Sequence, residues 1–179
     1  MGTSGKIKYF SVVVPFSSDG SQILLGRKKR GMGEGLWNGF GGKPEKGETM
    51  GRCAHRELQE ESGIDATEYE CAGILYMDDT AGPDYHIPVY RVTKYTGEIA
   101  ETEEMEPQWF GASEDCLPYD KMYAEAKLWW PNMLANTPFV AKFLFEGERV
   151  LSHDVQSVGR EVLGEHMDRI DEILLAGKA

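Results

Sequence analysis

Glu57, Glu60 and Glu61 stand at positions i, i+3 and i+4 of a stretch, Thr49 to Ser62, whose composition is helical. On a helix their carboxylates therefore leave from one face. Like charges at that spacing repel, and the nearest positions on that face carry no lysine to relieve them. A bare triplet of this kind is common on solvated helices, but its surroundings here are not ordinary. Gly41 and Gly42 precede it, where backbone can approach a phosphate closely. Gly63 follows as a natural left-handed cap. Arg56 directly precedes Glu57, and Glu48 lies two turns upstream near the helix start. An ion pair between Arg56 and Glu48 would tie the loop to the helix and fix the carboxylates. Three carboxylates on one face suit a hard divalent cation bound through oxygen, as Mg²⁺ prefers.

Such a cation also reconciles the chain's charge with a phosphate ligand. The formal net charge is -11 over 179 residues, which argues against polymeric nucleic acid as a partner. A single anionic metabolite can still be held when cations stand between it and the acidic pocket. The apolar run Phe10 to Phe16 is too short to span a bilayer, and nothing after Met1 resembles a signal peptide. Three cysteines, Cys53, Cys71 and Cys116, form neither a disulfide framework nor a zinc pattern. The expectation is a cytoplasmic protein whose cysteines serve packing.

The remaining chain reads as mixed strands and helices without repeats or a dividing linker. Tyr9 to Phe16 and Gln22 to Arg27 flank the turn Asp19-Gly20 and suggest a hairpin. Seven glycines between Gly31 and Gly47, interleaved with Trp37 and Phe40, suggest a shaped loop. Further strands are expected near Tyr69 to Met77, Ile87 to Tyr95 and Gln108 to Phe110. A second helix falls within Tyr119 to Leu134, with Pro131 ending or bending it. A last hairpin is expected over Phe139 to Phe145 and Arg149 to Ser152. An amphipathic helix over Val158 to Leu175 closes the chain.

The segment GKPEKGETMGRCAHRELQEESGI, Gly42 to Ile64, resembles the Nudix box. That box is a glycine, five residues, a glutamate, seven residues, then Arg-Glu, an aliphatic, any residue, Glu-Glu, any residue, a glycine and an aliphatic. Gly42, Glu48, Arg56, Glu57, Leu58, Glu60, Glu61, Gly63 and Ile64 fill every defined position. The resemblance implies an α/β/α sandwich with a mixed sheet and the box as loop, helix and loop. It implies one Nudix hydrolase domain over 1–179, with an additional C-terminal helical extension at about 157–177. It also implies hydrolysis of a nucleoside diphosphate linked to another group. Gly42, Glu57, Glu60 and Glu61 would hold Mg²⁺, with Mn²⁺ as a substitute. Glu57 or Glu61 would activate the water, with Arg56 and Glu48 beside them.

Beyond the box, GRKKRGMGEGLWNGFGGK (Gly26 to Lys43), EMEPQWF (Glu104 to Phe110), KMYAEAKLWWP (Lys121 to Pro131) and FVAKFLFEGERVL are similar to the eukaryotic MutT-homologue branch of the family, which sanitises oxidised purine nucleoside triphosphates. By that resemblance Asn38 contacts the purine edge, Lys28 lies near sugar and phosphates, and Met32 lines the base pocket, with Met77 or Tyr85 sharing that role. Glu104 completes the metal or water site from another loop. One departure stands out. Where that branch carries Trp-Pro-Asp-Asp, this chain carries Tyr123, Ala124, Glu125 and Ala126. Tyr123 can still stack on a base and Glu125 retains one carboxyl, but Ala126 makes no side-chain hydrogen bond. Trp129 and Trp130 are expected in the core. The expected activity is that of a monomeric, Mg²⁺-dependent enzyme converting a modified purine nucleoside triphosphate to the monophosphate and pyrophosphate. The alternatives are a dinucleoside polyphosphate or nucleotide-sugar hydrolase, or a silent nucleotide-binding module.

Overall fold

A computed structural model describes residues 6–178. Its strands are β1 (Lys8–Tyr9), β2 (Val12–Pro15), β3 (Gln22–Lys28), β4 (Trp37–Asn38), β5 (Asp65–Asp79), β6 (Tyr85–Thr96), β7 (Met105–Gly111), β8 (Phe139–Glu146) and β9 (Arg149–Ser157). Its helices are α1 (Met50–Ser62), α2 (Ala126–Leu134) and α3 (Arg160–Leu175). The main sheet is mixed and runs β1-β6-β5-β8-β9, with β2 continuing β1 alongside β6. β1, β2 and the β5–β8 pair are parallel, whereas β5–β6 and β8–β9 are antiparallel. A smaller antiparallel sheet has the order β4-β3-β7.

The two faces of the main sheet are read from the alternation along its strands. Val13, Ile74 and Tyr90 join one buried cluster with Met50, Ala54 and Leu58 of α1 and Leu163, Ile170 and Leu174 of α3. Val12, Val14, Leu75 and Val89 point the other way and pack with Trp129, Trp130 and Met133 of α2. Period-two alternation thus sets α1 and α3 on one face and α2 on the other, an α/β/α sandwich.

Two sequence expectations need correction. Tyr9 to Phe16 and Gln22 to Arg27 do not form a hairpin; they share only an isolated bridge, Phe16 to Ile23. The valine run of β2 is buried at every position, which suits an interior place beside a parallel neighbour, so β2 joins β6 while β3 leaves for the smaller sheet. Pro131 does not end the second helix, which runs through it to Leu134. Burial of Trp129, Trp130 and Met133 on that turn outweighs the lost backbone donor. No helix among the described residues is long and apolar enough to cross a membrane.

The position of α1 depends on its buried stripe. Leu58→Ala removes a fully buried side chain between α1, the sheet and α3. It is expected to cost about 2–5 kcal/mol in chemical denaturation; a loss within error of zero would show that α1 is held by its polar contacts instead.

Candidate active site

The box helix is delimited by its own sequence. Thr49 adopts an extended conformation and its hydroxyl accepts from the Arg52 N–H, while Gly63 takes the left-handed conformation and donates to the Gln59 carbonyl. Between these caps the buried stripe Met50, Cys53, Ala54, Leu58 faces the sheet, leaving the glutamates to flank it.

Arg56 organises those glutamates. Its Nε and Nη2 each lie 2.9 Å from the two carboxylate oxygens of Glu48. Its Nη1 donates to Glu57 at 2.9 Å and to Glu60 at 3.2 Å, and Nη2 also reaches the Lys43 carbonyl at 3.1 Å. The Arg56–Glu48 pair expected from the sequence is therefore present, and a single guanidinium spans three carboxylates and the preceding loop. This pairing holds Glu48 below the usual carboxylate range and raises the Arg56 pKa.

Glu61 stands apart from that fork. It is 4% exposed and accepts from the Gly41 N–H at 2.9 Å. Burial pushes its pKa up to about 7; the Gly41 N–H and Lys28 oppose the shift, while the charges of Glu57 and Glu104 add to it. Burial raises Glu57 too, against the pull of Arg56.

The loop before α1 is shaped by strand-like contacts with β2. Phe40 and Val13 exchange backbone hydrogen bonds, and the Ser11 N–H donates to the Gly42 carbonyl at 2.9 Å. Gly41 adopts a φ of 148°, and a Cβ there would lie 1.9 Å from the Ser11 carbonyl oxygen. Only glycine permits this approach, and the approach is what aims the Gly41 N–H at Glu61. The Gly42 carbonyl accepts from the Ser11 N–H and lies 3.4 Å from the Cys53 thiol. Gly42 also provides room, since a Cβ would sit 2.5 Å from the Glu57 carboxyl carbon.

Glu104, on the approach to β7, pairs with Arg30, and the backbone Lys29 N–H donates to its carbonyl. Among the described residues no three carboxylates, histidines or cysteines are drawn into a ready-made cation cage. The donor set nonetheless fits a divalent cation: half-buried Glu57 and buried Glu61 both have raised pKa values, Glu57 with the charges of Glu60 and Glu48 adding to burial, and Glu61 with those of Glu57 and Glu104. A hard cation taking oxygen ligands relieves that repulsion.

Beside the carboxylates opens a cavity of about 930 Å³. Asn38, Gly39 and Gly41 line it on the box side, with Lys28 next to them. Asn38 Oδ1 accepts from the Gly39 N–H at 2.9 Å, leaving its amide N–H₂ free to donate. Tyr123 lies over the glycine loop, where a Cβ on Gly33 would fall 2.1 Å from its hydroxyl. Met32, 68% exposed, sits on the rim, and Met77 and Tyr85 line the wall. Glu125 lines the cavity although only 7% exposed, and burial pushes its carboxyl up to about 7. Ala126 is 3% exposed and packs in the apolar cluster of α2, so Glu125 alone of that pair presents a side chain to the cavity. Trp130 is core as expected, whereas Trp129 is both core and cavity wall. Sequence reasoning missed Phe10, Leu75, Ile87, Phe145 and Glu148 as lining residues. They come from three strands, a turn and the link between β1 and β2, far apart in the chain, and no local pattern marks them.

Residues 8–132 match the NUDIX domain family. The chain is 42% identical over 154 residues to the oxidized purine nucleoside triphosphate hydrolase of Danio rerio, covering 84% of this chain and 93% of that protein. It is 35% identical to the mouse protein of the same name, over 76% of this chain and 88% of that one. Among solved structures, a MutT protein from Bacillus halodurans aligns with a TM-score of 0.71 at 24% identity, over 83% of this chain and 97% of that one. A MutT NUDIX hydrolase from Burkholderia pseudomallei aligns with a TM-score of 0.57 at 28% identity, over 63% and 88% of the two chains.

The buried Glu61 carboxyl makes a signed prediction for the metal-free protein. Its folded-state pKa lies above the unfolded value, so its contribution to stability is full below about pH 4.5 and is lost as pH rises through about 7. In chelator, the melting temperature of the wild type should fall more steeply between those limits than that of Glu61→Gln. Parallel profiles would mean that Glu61 ionises without penalty.

Proposed function

The chain belongs to the NUDIX hydrolase family, and on that premise we propose that it hydrolyses purine nucleoside triphosphates bearing oxidised or otherwise modified bases. The products are the nucleoside monophosphate and pyrophosphate, and the role is sanitation of the nucleotide pool. The observation that carries this reading is a shared segment. Asn38, Gly39 and Gly41 line the aromatic cavity, and the Gly41 N–H bonds Glu61 of the carboxylate helix. A base-sized hollow and a phosphate-handling face therefore adjoin across a few residues. The relatives in zebrafish and mouse, named for oxidised purine nucleoside triphosphates, support the same substrate class.

In this reading Gly42, Glu57, Glu60 and Glu61 would hold Mg²⁺, or Mn²⁺ in its place, and Glu104 would close the site from its own loop. When bound, the cation neutralises charge on the phosphate oxygens. Glu48 and Arg56 keep the carboxylates in place. Of the two candidate bases, Glu61 is favoured, since the Gly41 N–H fixes its orientation. It takes the proton of the attacking water while the bridging P–O bond breaks toward pyrophosphate. Lys28 steadies the phosphates and sugar. Asn38 donates to the purine edge, Tyr123 stacks on the ring and Met32 covers it at the rim. Glu125, titrating near neutrality, accepts from or donates to the base according to its protonation. The protein acts in this account as a single-domain monomer in the cytoplasm.

The test is a panel of 8-oxo-dGTP, 2-hydroxy-dATP, N6-methyl-dATP, the unmodified nucleotides and a dinucleoside polyphosphate, with Mg²⁺ and chromatographic product analysis. At least one modified purine triphosphate should give monophosphate and pyrophosphate about tenfold or more faster in kcat/KM than its parent. Glu125→Ala should narrow that preference, and Glu61→Gln should lower turnover by about two orders of magnitude without unfolding the protein. Cleavage of the dinucleotide alone would reject the purine triphosphate assignment.

A further inference from the structure

The C-terminal helix α3 lies beyond the matched domain, which ends at residue 132, yet it is fastened to the box helix at a specific atom. Asp171 Oδ1 accepts from the backbone N–H of Met50 at 2.8 Å. Met50 is the first residue of α1, and the first turn of α1 contains no acidic side chain of its own. The first N–H groups of a helix have no intrahelical partner and carry the positive end of its dipole. Thr49 meets one of these groups, the Arg52 N–H, at a long 3.4 Å. The anionic cap that α1 lacks therefore arrives from 121 residues downstream.

The rest of α3 is built to deliver it. Leu163, Ile170 and Leu174 are buried in the same cluster as Met50, Ala54 and Leu58 of α1. His166 Nδ1 lies 2.6 Å from the Tyr76 hydroxyl of β5. Arg160 grips both Glu70 carboxylate oxygens, at 2.7 and 3.2 Å. Three polar ties and an apolar stripe thus fix α3 along its length, with Asp171 at the point where it meets the start of α1.

What Asp171 fixes is connected to the glutamates. Met50 follows Thr49 and Glu48, and Glu48 is the two-oxygen partner of Arg56, which in turn holds Glu57 and Glu60. We propose that Asp171 is a positioning residue for hydrolysis: through the Met50 N–H it anchors the first turn of α1, and so the Glu48–Arg56 fork and the carboxylates beyond it. The proposal rests on the reading of Glu57, Glu60 and Glu61 as the metal-holding face.

The experiment compares Asp171→Ala and Asp171→Asn with wild type in the full chain. It measures kcat and KM on the best nucleotide of the panel and hydrogen exchange at the Met50 amide. Asparagine retains an acceptor oxygen at the same reach, so it separates the hydrogen bond from mere occupancy. Asp171→Ala is expected to lose about fivefold in kcat, the scale of a lost cap, with KM changed less than about twofold and Met50 protection lost. Asp171→Asn should restore most of both. Glu165→Ala, at an exposed position of α3 outside these ties, should leave kcat unchanged. If Asp171→Ala does not fold, Asp171→Ser, whose hydroxyl is too short to reach Met50, gives the same contrast. Unaltered kcat and protection, a change in KM alone, or equal impairment of the alanine and asparagine variants would each overturn the proposal. If wild type turns over none of the nucleotides, the functional reading has failed, and Met50 protection still decides whether Asp171 holds the helix.

Discussion

One guanidinium carries the arrangement of this site. Arg56 meets Glu48 with two parallel hydrogen bonds and reaches Glu57, Glu60 and the Lys43 carbonyl with its remaining donors. The planar fork of arginine allows this, since its donors are fixed relative to one another and match a carboxylate in pairs. Remove that geometry and three acidic side chains on adjacent turns are left to repel one another beside a loop with no anchor. With it, the box loop and the box helix become one unit. The Gly41 N–H then completes the set by orienting Glu61, which Arg56 does not touch.

The arrangement is electrostatically costly, and that cost is informative. Glu57 and Glu61 are carboxyls whose proton affinity is raised first by burial and then by neighbouring carboxylates, a condition a surface ion-pair network would not produce. A second buried carboxyl, Glu125, stands in the cavity with its own affinity raised by burial. Raised carboxyls thus stand both in the cavity, at Glu125, and beside it on the box helix.

Much of this was legible in the sequence, for a physical reason. The box is local: caps, helix period and the Arg56–Glu48 spacing all lie within Gly42 to Ile64, and helical geometry converts that spacing into position. The sheet order was not local. The pairing of β2 with β6 rather than with β3 depends on which partner buries both faces of a valine run, and a turn signal at Asp19-Gly20 could not reveal it. The room that Gly42 leaves for the Glu57 carboxyl was not legible either, because it depends on how the loop packs against Ser11. The cavity walls carry ordinary apolar residues from β5 and β6 and exposed residues from the β8–β9 turn, and nothing in their types announces a pocket. The terminal helix was readable as amphipathic, but its contact with Met50 was not.

The account turns on Arg56 arranging carboxylates for a divalent cation, so the most direct measurement is Mn²⁺ affinity of Arg56→Lys against wild type, by calorimetric titration at fixed pH and low salt. Lysine preserves the charge and loses the fork. The account predicts a folded variant that binds Mn²⁺ about tenfold more weakly, a loss of roughly 1.4 kcal/mol. Equal affinity in the two proteins would contradict it, because the carboxylates would then find the cation without the guanidinium that holds them here.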